Sequence, residues 1–183
     1  ENIYQKLSGT EEGLVAYYNF DNATTIIPDV TENGNDGTPY IGQGLSFDGV
    51  DDYVDLGSSL LNDLSEFTIE GWFNAETLGS QRLDLWGQND RVELFIDSNG
   101  DLRAWSNKTL GKTFSDVSLS ENEWYHVAVV GSDSGVEVYL NGDSIGNIDN
   151  SSSNDNSSSY TAKIGAGVSS SSGKNFIGKI DEV

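Results

Sequence analysis

The chain has no cysteine and no methionine, only two prolines and a single histidine among 183 residues. Without cysteine there are no disulfides, thiolate zinc sites or thiol nucleophiles, and a chain of this length can bury roughly 70% of its unfolded surface without such staples. One histidine and no thiol leave an enzyme only Ser-Lys-type or carboxylate chemistry. Basic residues are also scarce: nine against thirty acidic ones give a formal charge of -21. That balance disfavours binding to nucleic acid or an anionic membrane. No apolar run reaches the length of a membrane span, and the first residues carry no basic-then-apolar pattern. The missing methionine, at position 1 included, leads us to expect a mature or excised part of a longer protein. The acidity itself reads either as solubility or as calcium binding, and both fit the cell exterior.

What is present is a succession of short apolar runs separated by Gly, Asn, Asp and Ser clusters, the pattern of many antiparallel strands. It predicts strands at 14–20, 44–48, 53–56, 67–74, 82–87, 91–96, 102–105, 124–130, 136–140, 162–166 and 176–183, with a short helical turn at 58–65. Pro28 and Pro39 both fall in the loop after the first strand, where a sheet tolerates them. Residues 1–12 read as a lead-in or linker and residues 13–183 as one domain. The serine-rich stretches at 151–159 and 169–172 read as surface loops.

Five separated segments carry a family resemblance: LVAYYNF through LSFDGVDDYVDLG, FTIEGWFNAE, ENEWYHVAVV, VEVYLNGDSIG and FIGKIDEV. In this order they resemble the bacterial laminin-G-like domains of the concanavalin A-like lectin/glucanase superfamily. The resemblance implies an all-β fold, a two-sheet antiparallel β-sandwich of the jelly-roll type. It leaves function open, because that sandwich hosts lectins, adhesion modules, polysaccharide-binding modules and hydrolases. His126 sits in a segment matching the family's W-x-H-V-A signature and reads as structural; Trp72, Trp124 and Tyr139 read as core or sheet-packing residues.

Asp48, Asp51 and Asp52 occupy one turn between two strand runs, and Asp36 follows the NGN turn. Converging carboxylates repel, whereas Ca2+ takes six to eight oxygens from carboxylates, amides and main chain. The family resemblance implies a structural calcium tying the first strand and a nearby loop to an aspartate of the last strand. The matching positions are Asp21, the turn from Asp48 to Asp51, and Asp181, with Asp36 as a further candidate ligand; a solvated Asp- and Gly-rich turn is the alternative. Asp97, Asn99 and Asp101 begin like an EF-hand loop, but the glycine falls at position 4 and position 12 is Lys108. Asn99-Gly100 instead marks a hairpin.

Strand parity yields a second constellation. If Leu83 and Leu85, Val92, Leu94 and Ile96, and Leu102 and Ala104 face the core, the opposite face carries the candidate ligand residues Arg82, Asp84, Trp86, Arg91, Glu93, Arg103 and Trp105, with Phe95 and Asn107 beside them. This set contains every arginine of the chain. A pyranose offers a C–H face to an indole and hydroxyls to charged side chains, and arginines also suit an anionic sugar. The same residues could equally form a cross-strand charge ladder worth little energy. The E-x-D-x-x-E or E-x-D-x-E strand of jelly-roll glucanases is missing, as is the Gln-x-His pattern of related lyases. These features together predict a non-enzymatic, extracellular, calcium-binding module of a larger protein that recognises carbohydrate for adhesion or polysaccharide targeting. The alternative is a structural spacer or protein-interaction domain of a surface adhesin.

Overall fold

A computed structural model describes residues 31, 33, 44–106, 111–133, 135–149, 157–166 and 174–183. The chain divides into two compact units, Glu1–Gly42 and Gln43–Val183. Of the first, Thr31 and Asn33 are described: the Thr31 hydroxyl oxygen accepts from the main-chain and side-chain N–H groups of Asn33. The expected strand at 14–20, and with it Asp21 and Asp36, lies outside the described residues.

The described residues of the second unit form twelve strands: β1 (Leu45–Asp48), β2 (Val54–Asp55), β3 (Phe67–Ala75), β4 (Leu83–Gln88), β5 (Val92–Ile96), β6 (Leu102–Ser106), β7 (Lys112–Thr113), β8 (Trp124–Ser132), β9 (Gly135–Leu140), β10 (Asp143–Asp149), β11 (Ala162–Ile164) and β12 (Ile177–Asp181). They form two six-stranded antiparallel sheets, β1-β12-β3-β8-β9-β10 and β2-β11-β4-β5-β6-β7. Alternation along β3 and β6 turns Phe73, Ala75, Leu102 and Ala104 inward and leaves Trp72 and Arg103 on the outside. Val127 and Val138 of the first sheet and Leu83, Leu94 and Ile96 of the second belong to one buried cluster with Phe176 and Ile180. A buried side chain of this size stabilises by about 1.5–3 kcal/mol, which makes the sandwich an independent core. Segment 58–65, expected to be a helical turn, contains hydrogen-bonded turns and no helix.

Two hairpins show how local sequence sets register. The β5–β6 turn closes with Gly100 N–H donating to the Asp97 carbonyl, and Asp97 Oδ1 accepts from the main-chain N–H groups of Asn99 and Asp101. That is the hairpin expected from Asn99-Gly100, and it commits the Asp97 carboxylate to the turn. β9 and β10 meet through Asn141-Gly142, both at positive φ (51° and 88°), as a type I′ turn requires. Neither β7 nor a separate β10 was expected. β10 reads DSIGNID, with too few apolar residues to show alternation, although its Asn-Gly turn was a usable signal.

Candidate functional site

The second sheet carries a hollow of about 450 Å³ on its outer face, lined by Arg82, Glu93, Phe95, Asp97, Ser98, Arg103 and Trp105. Sheet register assembles it. Asp84 on β4 lies opposite Phe95 on β5, which lies opposite Arg103 on β6; in the adjacent row Gly87, Glu93 and Trp105 line up the same way. Neighbouring strands sit about 4.8 Å apart, so each row is a compact strip across three strands.

Arg82 organises the strip. Its Nε donates to Asp84 Oδ1 at 2.5 Å and its Nη2 to Glu93 Oε2 at 2.6 Å. Its guanidinium carbon lies 3.6 Å from the centroid of the Phe95 ring, with that of Arg103 at 5.8 Å. A guanidinium held by two carboxylates and stacked on a ring is fixed before any ligand arrives. Burial pushes the Asp84 carboxyl up to about 6, against the opposing pull of Arg82.

Of the seven candidate ligand residues, Arg82, Glu93, Arg103 and Trp105 line the hollow and Asp84 lies beneath Arg82. Two do not join them. Trp86 is 3% exposed and belongs to the core. Between Asp84 and Trp86 the β4–β5 register slips by one residue, so Trp86 pairs with inward-facing Leu94 and parity reverses at the bulge. Arg91 is also buried, because it closes the turn from Gln88, whose carbonyl accepts the Arg91 N–H, and lies outside the regular alternation of β5. Its Nε donates to the Leu61 carbonyl, Leu61 N–H donates to Gln88 Oε1, and Gln88 Nε2 donates to Asn62 Oδ1. Arg91 thus fastens the 58–65 segment to the β4–β5 hairpin. Phe95, which parity places on this face, and Asp97 and Ser98 of the β5–β6 turn complete the hollow.

At the acidic turn, carboxylate oxygens of Asp48, Asp51 and Asp52 all lie within 4.8 Å of one another and are exposed. Asp48 Oδ1 accepts from Val50 N–H, and Asp52 Oδ2 from Asp48 N–H. Each of these two carboxylates keeps a second oxygen, so the turn offers part of the oxygen set that Ca2+ takes. Asp181 does not contribute. Asp48 pairs with Ile177, four residues before Asp181 on an antiparallel strand, which separates the two by about 13 Å. Asp52 takes its place in the cluster.

On the first sheet, Trp72 and Trp124 are 38% and 43% exposed on the outer face, so of the two expected places, core or sheet surface, they take the second. The Trp72 ring lies 5.2 Å from that of His126, whose Nε2 is 3.6 Å from a Glu70 carboxylate oxygen.

Residues 48–183 match the laminin G-like family of the concanavalin A-like lectin/glucanases superfamily, and the chain belongs to that family. No curated protein matches the chain. Among solved structures, it is similar to a Trypanosoma rangeli sialidase in complex with 2,3-difluoro-KDN, with a TM-score of 0.61 at 16% identity, covering 94% of this chain and 30% of that one. It is similar to domain 4 of AbnA, an extracellular GH43 arabinanase from Geobacillus stearothermophilus bound to arabinotriose (TM-score 0.55, 19% identity, 88% and 75% covered). A pentraxin from Limulus polyphemus gives a TM-score of 0.50 at 16% identity, with 75% and 72% covered. The chain spans less than a third of the sialidase, and at these identities the likeness establishes the fold alone.

Proposed function

We propose that this laminin G-like domain is a non-catalytic, extracellular carbohydrate-recognition module of a larger protein, extending from residue 13 to residue 183. The observation that carries the reading is the hollow itself: an indole, two guanidiniums and two carboxylates meet on the outer face of one sheet. An indole stacks on the C–H face of a sugar while charged forks take its hydroxyls. Arabinotriose bound to domain 4 of AbnA is in keeping with such a use of the fold. Shallow sites of this kind bind with micromolar to millimolar dissociation constants. Trp105→Ala should therefore weaken glycan binding by at least tenfold, about 1.4 kcal/mol, in isothermal titration against array hits, while the circular dichroism spectrum stays unchanged. Wild-type affinity in that variant would remove the hollow from consideration.

Calcium is assigned to Asp48, Asp51 and Asp52, where it would offset the mutual repulsion of three carboxylates and brace the β1–β2 turn. A metal bound to the native state alone adds about 2.7 kcal/mol at a hundredfold excess over Kd. Melting temperature should rise with millimolar CaCl2 and return with EDTA, and Asp51→Asn should abolish the rise; a melt indifferent to both reagents rules the site out.

The second reading, a spacer or protein-interaction domain of a surface adhesin, draws on Arg82, whose carboxylate and ring partners already form a self-sufficient ladder. A glycan array without a hit, in calcium and in EDTA, favours that reading. Release of reducing sugar from any hit would instead assign catalysis.

A further inference from the structure

The floor of the hollow holds a group that sugar stacking does not use. Asp84 is 3% exposed, and its Oδ2 is buried with no hydrogen-bond partner among the described residues. Charged groups reach it from the elements packed around it: Arg82 ahead of β4, Glu93 from β5 and Lys174 ahead of β12. β11, the other neighbour of β4, carries Lys163, which pairs with Gly87 and lies over the Tyr53 ring. Beyond Phe95, β6 adds Arg103.

Resting on the carbohydrate reading above, we propose that Asp84 is a positioning residue that sets which charge of sugar the hollow accepts. Ionised, it leaves the site with more carboxylates than guanidiniums, which repels anionic sugars in favour of neutral ones; protonated, it removes that excess and lets a sugar carboxylate or sulfate approach the arginines. With Asp84 ionised, the two arginines of the site face three carboxylates, Glu93, Asp97 and Asp84; with the proton on, they face two. Arg82 stays in place through the change, because Glu93 at 2.6 Å and the Phe95 ring at 3.6 Å still hold it. Proton uptake therefore alters the field over the hollow and not its shape. Burial places this titration near pH 6, within the range of acidified surroundings. One charge at this separation, screened by salt, changes affinity on the order of tenfold.

The test is a printed array of neutral, uronate, sialylated and sulfated glycans, probed at about pH 5 and about pH 7.5 with wild type and Asp84→Asn, since a titration near 6 lies between these values. The wild-type ratio of acidic to neutral signal should rise on the order of tenfold at the lower pH. Asp84→Asn, a permanent mimic of the protonated acid, should show the higher ratio at both. In parallel, the Arg82 Nε–Hε signal of the wild type should titrate near pH 6, which keeps the proposal decidable should the variant misfold. Glycan binding with a ratio indifferent to pH, or an Arg82 signal that does not titrate, overturns the role of Asp84 while leaving the carbohydrate reading intact. An array with no binding at either pH overturns that reading and this proposal with it.

Discussion

Trp86→Ala should destabilise the domain by about 3–5 kcal/mol, the range for truncating a large buried aromatic, whereas Trp105→Ala should cost about 1 kcal/mol or less. The two tryptophans lie on β4 and β6, separated by β5 in one sheet, and on opposite faces of it. Trp86 belongs to the buried cluster that holds Leu61, Leu85 and Leu94, with Ile69 and Ile164 packed against it, so its removal leaves a void in the core. Trp105 lines an open hollow and leaves only a wider one. Domains of this size hold about 5–15 kcal/mol in all, so the first loss is a large share of the total. Urea denaturation of both variants reads the difference directly. A wild-type midpoint for Trp86→Ala would mean that the β4 bulge is misplaced and that Trp86 faces the sugar side after all.

That contrast also marks where sequence reading stops. Period-two alternation of apolar and polar residue types located β3, β5, β6, β8 and β9 to within a residue or two, and the burial follows it most regularly along β3 and β6. On β4 it failed after Asp84. Every residue from Leu83 to Gln88 is buried, so no polar position announces the bulge, and a one-residue slip moves each later side chain to the other face. Arg91 was misplaced for a related reason: parity was extended into a turn, where it no longer applies. Asp181 was linked to Asp48 through the family resemblance, yet strand register keeps them at opposite ends of the β1–β12 pair. The surviving members of the hollow, Arg82, Glu93, Arg103 and Trp105, are those whose strands run regularly up to them. Trp72 and Trp124, for which core and sheet surface were both open, lie on the outer face because alternation along β3 and β8 turns Phe73 and Val127 inward.

Stability should fall between about pH 4 and pH 7 in the wild type and stay nearly level there in Asp84→Asn, because Asp84 inverts the usual behaviour of a protein carboxylate. Its folded value of about 6 stands above its ordinary value of 3.8, since burial outweighs the attraction of Arg82. Folding therefore favours the protonated acid. The stabilisation is fully present below about pH 4 and is lost as the pH rises through 6, a change on the order of 3 kcal/mol. Asp55 and Glu137 act in the opposite sense. Hydrogen bonds from Gly57 N–H to Asp55, and from the Ser144 and Tyr139 hydroxyls to Glu137, hold both carboxyls below their ordinary values. Their contribution is lost only as the pH falls through those lowered values, so the acid limb lies below the Asp84 window. Urea unfolding at half-unit steps from pH 4 to pH 8 separates the two. The deciding quantity is the difference between wild type and Asp84→Asn, because general repulsion among the acidic groups is common to both and cancels. A difference that grows across the window and then stays constant above pH 7 places an ionising carboxyl beneath Arg82. Parallel curves throughout would mean that Asp84 ionises as a solvated carboxylate does, and the charge switch under the hollow would have no proton to run on.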